Sequence, residues 1–157
     1  MLAWMRPAWI GPARVLPFLI GACLLPFVLG GCDTTGSSPG EKLRYFEFVH
    51  MTDADTFVVA TSDPEVIASV EAQLAKPAGQ RKKHINGKIA RGEKSYNPGY
   101  PWHFVEGEWA LSELSTEVCD GRLSFVTENL GYWTEEVGRF CPWNSRVVRE
   151  MDEPRER

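Results

Sequence analysis

Residues 44–61 read RYFEFVHMTDADTFVVAT, two strand-forming runs on either side of a polar turn. In Arg44–His50 large apolar and polar residues alternate, which puts Phe46 and Phe48 on one face of a half-buried strand. Thr52–Asp55 is the turn, and the β-branched run Thr56–Thr61 returns as the second strand of a hairpin. Ser62-Asp63-Pro64-Glu65 then opens a helix, because Asp63 can accept from free N–H groups and Pro64 suits the first helical position. Val66, Ile67, Val70 and Leu74 recur at helical spacing and should face the sheet, and Pro77 with Gly79 ends the helix. A hairpin feeding an amphipathic helix is the start of an α+β domain.

Outward from this stretch, the spacing predicts a strand near Ile85–Ala90 and a Gly- and Asn-Pro-containing loop over Arg91–Pro101. A strand pair, Trp102–Glu106 and Trp109–Leu114, is expected to turn at Gly107. A second helix begins at Asp120-Gly121, with Leu123, Val126 and Leu130 as its stripe and Gly131 as a left-handed stop. Ser145–Glu150 is the last strand. The expected fold is one small α+β domain over 43–150, with a mainly antiparallel sheet, two helices packed on one side, one disulfide, and a charged tail over 151–157. Trp102, Trp109, Trp133 and Trp143 are expected in its core rather than on an aromatic platform, Trp143 beside the disulfide.

Residues 1–31 read as a leader. Arg6 and Arg14 stand in a stretch free of acidic residues, and an apolar run follows over Val15–Val28, interrupted by Pro17 and Pro26. That run fits a signal-peptide core of ~7–15 residues and is short of the ~20 needed to span a bilayer. An uncleaved helical anchor is the rival, and the two prolines oppose it. Leu29-Gly30-Gly31-Cys32 resembles the lipobox of bacterial lipoproteins, which implies lipidation of Cys32 and cleavage before it. Residues 32–42 then form a lipidated cysteine and flexible tether, DTTGSSPG over Asp33–Gly40, with a coil reach of about 15 Å. The expected location is the cell envelope, lipid-anchored on the extracytoplasmic side of a membrane.

With Cys23 lost and Cys32 acylated, Cys119 and Cys141 remain, and in an oxidising compartment two such thiols most simply form a disulfide. They lack the spacing or histidine partners of a redox or metal pair. The leader carries no acidic residue, so the mature chain is more acidic than the whole-chain charge of −4, which argues against nucleic-acid binding.

Thr61-Ser62-Asp63-Pro64, His84 with Gly87 and Ile89, Tyr96-Asn97-Pro98, Trp102-His103-Phe104, Glu117-Val118-Cys119-Asp120 and Cys141-Pro142-Trp143-Asn144-Ser145-Arg146 follow one another in this order. Together they resemble the family of small domains related to BP seventy-four, an amoebal calmodulin-binding protein with bacterial secreted relatives. The likeness runs roughly from Phe46 to Glu150, and its most specific pieces are EVCD and CPWNSR. It implies the α+β domain and a paired Cys119–Cys141, and it carries over no activity or cofactor. Calmodulin is not a partner that an exported bacterial protein would ordinarily meet.

Two kinds of site are open on the residues alone. A small envelope hydrolase could pair His84 or His103 with Glu117 or Asp120 as base and orienter, although no nucleophile motif accompanies them. His103, between Trp102 and Phe104, faces away from both if it lies on a strand, and Asp120 is explained by helix capping. Arg81, Lys82, Lys83, Lys88, Arg91 and Lys94 concentrate positive charge in an acidic domain. They could meet anionic lipid headgroups or an acidic protein near the membrane. Asp53-Ala54-Asp55 opens like a calcium loop but lacks the later glycine and bidentate glutamate, so it is a turn and no metal is expected. The reading is a membrane-tethered, non-enzymatic binding domain needing no cofactor.

Overall fold

The structure is a computed structural model and describes residues 42–154; the expected leader, Cys32 and nearly all of the tether lie outside that range. β1 (Arg44–His50) and β2 (Thr56–Thr61) form the expected hairpin, with Phe48 opposite Phe57 and Phe46 opposite Val59. All four side chains are buried. The turn is closed by the Ala54 N–H donating to the His50 carbonyl at 2.9 Å, with Ala54 in the left-handed region. α1 (Pro64–Leu74) begins where the Asp63 carboxylate accepts from the Glu65 and Val66 N–H groups. Val66 and Val70 face inward as the spacing predicts, and so does Gln73. The Gln73 side-chain oxygen accepts from the Lys82 and Lys83 N–H groups at 3.2 and 3.4 Å, fastening the segment that follows the helix.

β3 (His84–Arg91) pairs antiparallel with β4 (Trp102–Ser112). The expected strand pair is therefore one continuous strand: Gly107 adopts a positive φ of 71° but bends β4 without reversing it. A register shift between Gly87 and Ile89 absorbs the irregularity. Two-residue β5 (Arg139–Phe140) adds to the other edge of β3, and β6 (Ser145–Met151) pairs with β1. The antiparallel pairing is as expected, but it forms two three-stranded sheets, β2-β1-β6 and β4-β3-β5.

Aromatic side chains cement the sheets together. Phe57 on β2 stacks on Phe104 of β4 at 5.8 Å, and Phe48 on β1 meets Trp109 of β4 edge-on at 6.2 Å. Trp109 also donates its indole N–H to the Ala60 carbonyl at 2.9 Å. It lies directly opposite Gly87, where a Cβ would fall 2.3 Å from the Trp109 Cβ and 2.8 Å from its Cα. Only glycine permits that approach.

The second helical segment differs from expectation at both ends. α2 (Leu123–Glu128) is short and starts later than Asp120, because Asp120 spends one oxygen on the Gly121 and Trp143 N–H groups. Gly131 is right-handed, and the chain continues through a π-helical turn over Tyr132–Val137 to a left-handed stop at Gly138, whose N–H donates to the Trp133 carbonyl. The extension carries Trp133 into the core, edge-on to Phe140 at 5.4 Å. Cys119 and Cys141 form the disulfide, with Cα atoms 5.2 Å apart. Trp102, Trp109 and Trp133 are buried as expected, but Trp143 is 38% exposed. Its N–H is held by Asp120, and the neighbouring Pro142 takes the buried place.

Gly87→Ala should destabilise the domain by about 3 kcal/mol or more, the upper range for overpacking, because the obstructing atoms include backbone. Urea unfolding measures it, and an unchanged midpoint would contradict the packing described here.

Candidate functional site

The three histidines occupy separate places. His50 Nδ1 pairs with Asp53 Oδ1 at 2.6 Å across the β1–β2 turn. Burial works to raise the Asp53 pKa, but the hydrogen bond and charge of His50 outweigh it and hold the carboxyl below its ordinary value. His103 points away from Trp102 and Phe104, as strand alternation requires, and its Nδ1 meets the Gly92 carbonyl at 2.8 Å. Neither His84 nor His103 hydrogen-bonds Glu117 or Asp120, although Asp120 lies near enough to His84 for its charge to act on the ring. Among the described residues no group of His, Cys, Asp and Glu is arranged to hold a metal ion.

His84 instead meets a serine. At the start of β3 its Nε2 lies 2.7 Å from Ser115 Oγ, in the segment after β4. Asn86, on the same face of β3, donates its side-chain N–H to that Oγ at 2.8 Å. The amide orientation is fixed from behind, since Arg139 donates to Asn86 Oδ1 at 3.1 and 2.9 Å. With Asn86 donating to Oγ, the serine hydrogen is free to go to His84 Nε2 as acceptor. Burial, then the Arg146 charge, holds the His84 pKa below its ordinary value, with Asp120 pulling the other way. Ser115 carried no motif that could have singled it out. Only the fold brings it across to residue 84.

The basic run disperses once folded. Arg81 is a structural cation: it donates to the Leu74 and Lys76 carbonyls at the end of α1 and to Val147 and Val148 on edge strand β6. Such a bond set favours the helix C-terminus and occupies the edge. Lys88 pairs with Glu108 at 3.1 Å and Arg91 with Glu135 at 2.6 Å. Exposed Lys82 and half-buried Lys83 and Lys94 have no carboxylate partner among the described residues, and of these the fold sets Lys82 on the same depressions as Arg146, a residue outside the basic run. Arg146 spends one terminal nitrogen on the Trp143 and Ser145 carbonyls.

Lys82 and Arg146 stand between two depressions. One, of about 530 Å³, has a largely apolar surface that includes Val49, Met51 and Val148. The other, of about 160 Å³, holds His84, Ser115, Glu113 and Trp143. Met51 is 63% exposed, so apolar surface borders the two cations.

A family model for the BP seventy-four N-terminal domain matches residues 42–154. No curated protein and no solved structure matches the chain.

The folded state disfavours protonated His84, so the stability tied to its neutral ring is fully present above the unfolded value. It is lost as pH falls through about 6.5 toward the lower folded value. Between about pH 7.5 and pH 5, the wild type should therefore lose more thermal stability than His84→Gln. Parallel losses would show that His84 does not couple to folding.

Proposed function

Because the chain belongs to the BP seventy-four N-terminal domain family, we propose that it is a binding domain, tethered through Cys32 to the extracytoplasmic face of a membrane, that takes an acidic segment of a partner protein. One observation carries the choice of ligand. Lys82 and Arg146 together border an apolar groove and have no carboxylate partner among the described ion pairs; Lys76, Lys83, Lys94 and Arg122 are likewise unpaired there but do not line that groove, and Arg44, Lys88, Arg91 and Arg149 are paired with glutamates. Two cations beside an apolar surface suit a strand or loop that alternates carboxylates with aliphatic side chains. The concavity suits a peptide better than a flat headgroup layer.

The position of the groove favours the same choice over lipid. The chain enters the domain at Lys42–Arg44, and β1 runs from there to His50, at the groove. At ~3.3 Å per residue that strand separates the two ends by about 20 Å. The end at which the chain enters carries Glu71, Glu150, Asp152 and Glu153 against Lys42 and Arg44.

The test uses the mature chain with Cys32→Ser and a synthetic peptide of alternating glutamate and leucine, followed by tryptophan fluorescence. Lys82→Glu should weaken binding about tenfold, and higher salt should weaken it further. Lys88→Glu, which reverses a cation on another face, should leave the Kd nearly unchanged. Equal losses in both variants, or tighter binding to anionic vesicles than to the peptide, would overturn the groove as a protein-binding site.

A further inference from the structure

The small depression at the end of the groove holds more than a binding site needs. A serine hydroxyl becomes a nucleophile when a neutral base accepts its proton and a donor steadies the negative charge left on its oxygen. Ser115 has both. His84 Nε2 is at 2.7 Å, and the Asn86 amide donates to the same Oγ at 2.8 Å. The Asn86 oxygen accepts from the Arg139 guanidinium at 2.9 Å, so a positive charge polarises the amide that faces Oγ. His84 itself is 4% exposed, while Ser115 lines open space on two sides: the small pocket, where Lys82 and Arg146 outnumber the one carboxylate, Glu113, and a second depression with Leu114, Val118 and Val137. An acyl group could approach from one side while its leaving group departs on the other.

We infer that Ser115 and His84 form a nucleophile–base pair that reacts with small esters carrying a carboxylate, the carboxylate being held by Lys82 and Arg146. In the first step Ser115 Oγ bonds to the ester carbonyl carbon and its proton passes to His84 Nε2. The carbon–alkoxide bond then breaks, the alkoxide takes the proton from His84, and the acyl group remains on Ser115. Water, activated in turn by His84, adds to that carbonyl and releases the free acid, restoring the serine hydroxyl. No oxidant, metal or further reactant is required. The inference goes beyond peptide binding in the groove: its preference for a carboxylate shares Lys82 and Arg146 with that reading, while the acylation step rests on Ser115 and His84 alone.

The test uses the full-length protein in detergent with a fluorophosphonate probe, and then the 4-nitrophenyl monoester of succinate beside neutral 4-nitrophenyl acetate. Mass spectrometry should place the adduct on Ser115, and Ser115→Ala should carry none while remaining folded at the assay temperature. His84→Gln should slow labelling about 100-fold, the scale of a lost general base. The wild-type rate should rise with pH and level off below about pH 6.5, because burial keeps His84 neutral to lower pH than a free imidazole. The succinate ester should react faster than acetate, and Lys82→Gln should remove that preference. An unlabelled wild type, or equal labelling of Ser115→Ala, overturns the inference and leaves peptide binding by the groove untouched.

Discussion

The contact on which the fold depends is the passage of Trp109 over Gly87. Two strands paired at ordinary spacing cannot also bring a tryptophan side chain across the partner's backbone unless the partner lacks a Cβ there. With glycine in place, the indole reaches the other sheet, donates to Ala60 and packs against Phe48. That junction sets the two sheets relative to each other, and with them the ends of β3 and β6 where His84 and Arg146 stand. A satisfied indole N–H in the core also avoids the penalty that an orphaned buried donor would carry.

Around this junction the charged residues divide by obligation. Arg81 gives its donors to carbonyls of α1 and β6, and Arg139 serves Asn86. Exposed pairs such as Arg91–Glu135 contribute little stability, typically below about 1 kcal/mol each, but they neutralise their faces. Lys82 and Arg146 form no ion pair among the described residues and lie together on the apolar groove. Their neighbours Met51 and Val148 stay exposed although the aromatic core is closed. The disulfide, with the Cys141 N–H donating to the Cys119 carbonyl at 2.7 Å, ties the segment that carries Ser115 to the one that carries Trp143 and Arg146.

The sequence was legible where periodicity and burial agree. β1 carries alternation, β2 a β-branched run and α1 helical spacing, and the structure forms all three, with β6 over the segment expected as the last strand. The cysteine pairing followed from the count of thiols that remain after Cys32. Legibility failed where a residue's role comes from a distant partner. Gly107 looked like a turn because a positive φ and a chain reversal share the same residue preference, and only the continuous pairing with β3 separates them. Gly131 looked like a helix stop, but burying Trp133 was worth a further, wider turn. Ser115 meets His84 across 31 positions of sequence, and Arg81 meets β6 across more than 60, so neither could be found by local pattern.

Lys82 and Arg146 line one groove, the proposed seat of a partner's acidic segment. Backbone amide shifts of the isotope-labelled mature chain, followed while the glutamate–leucine peptide is added, test it most directly. Perturbations should be confined to Met51, Lys82, Asn144, Arg146 and Val148, with Lys88 and Arg91 undisturbed. Shifts centred on Lys88 and Arg91, or none at saturating peptide, would contradict it.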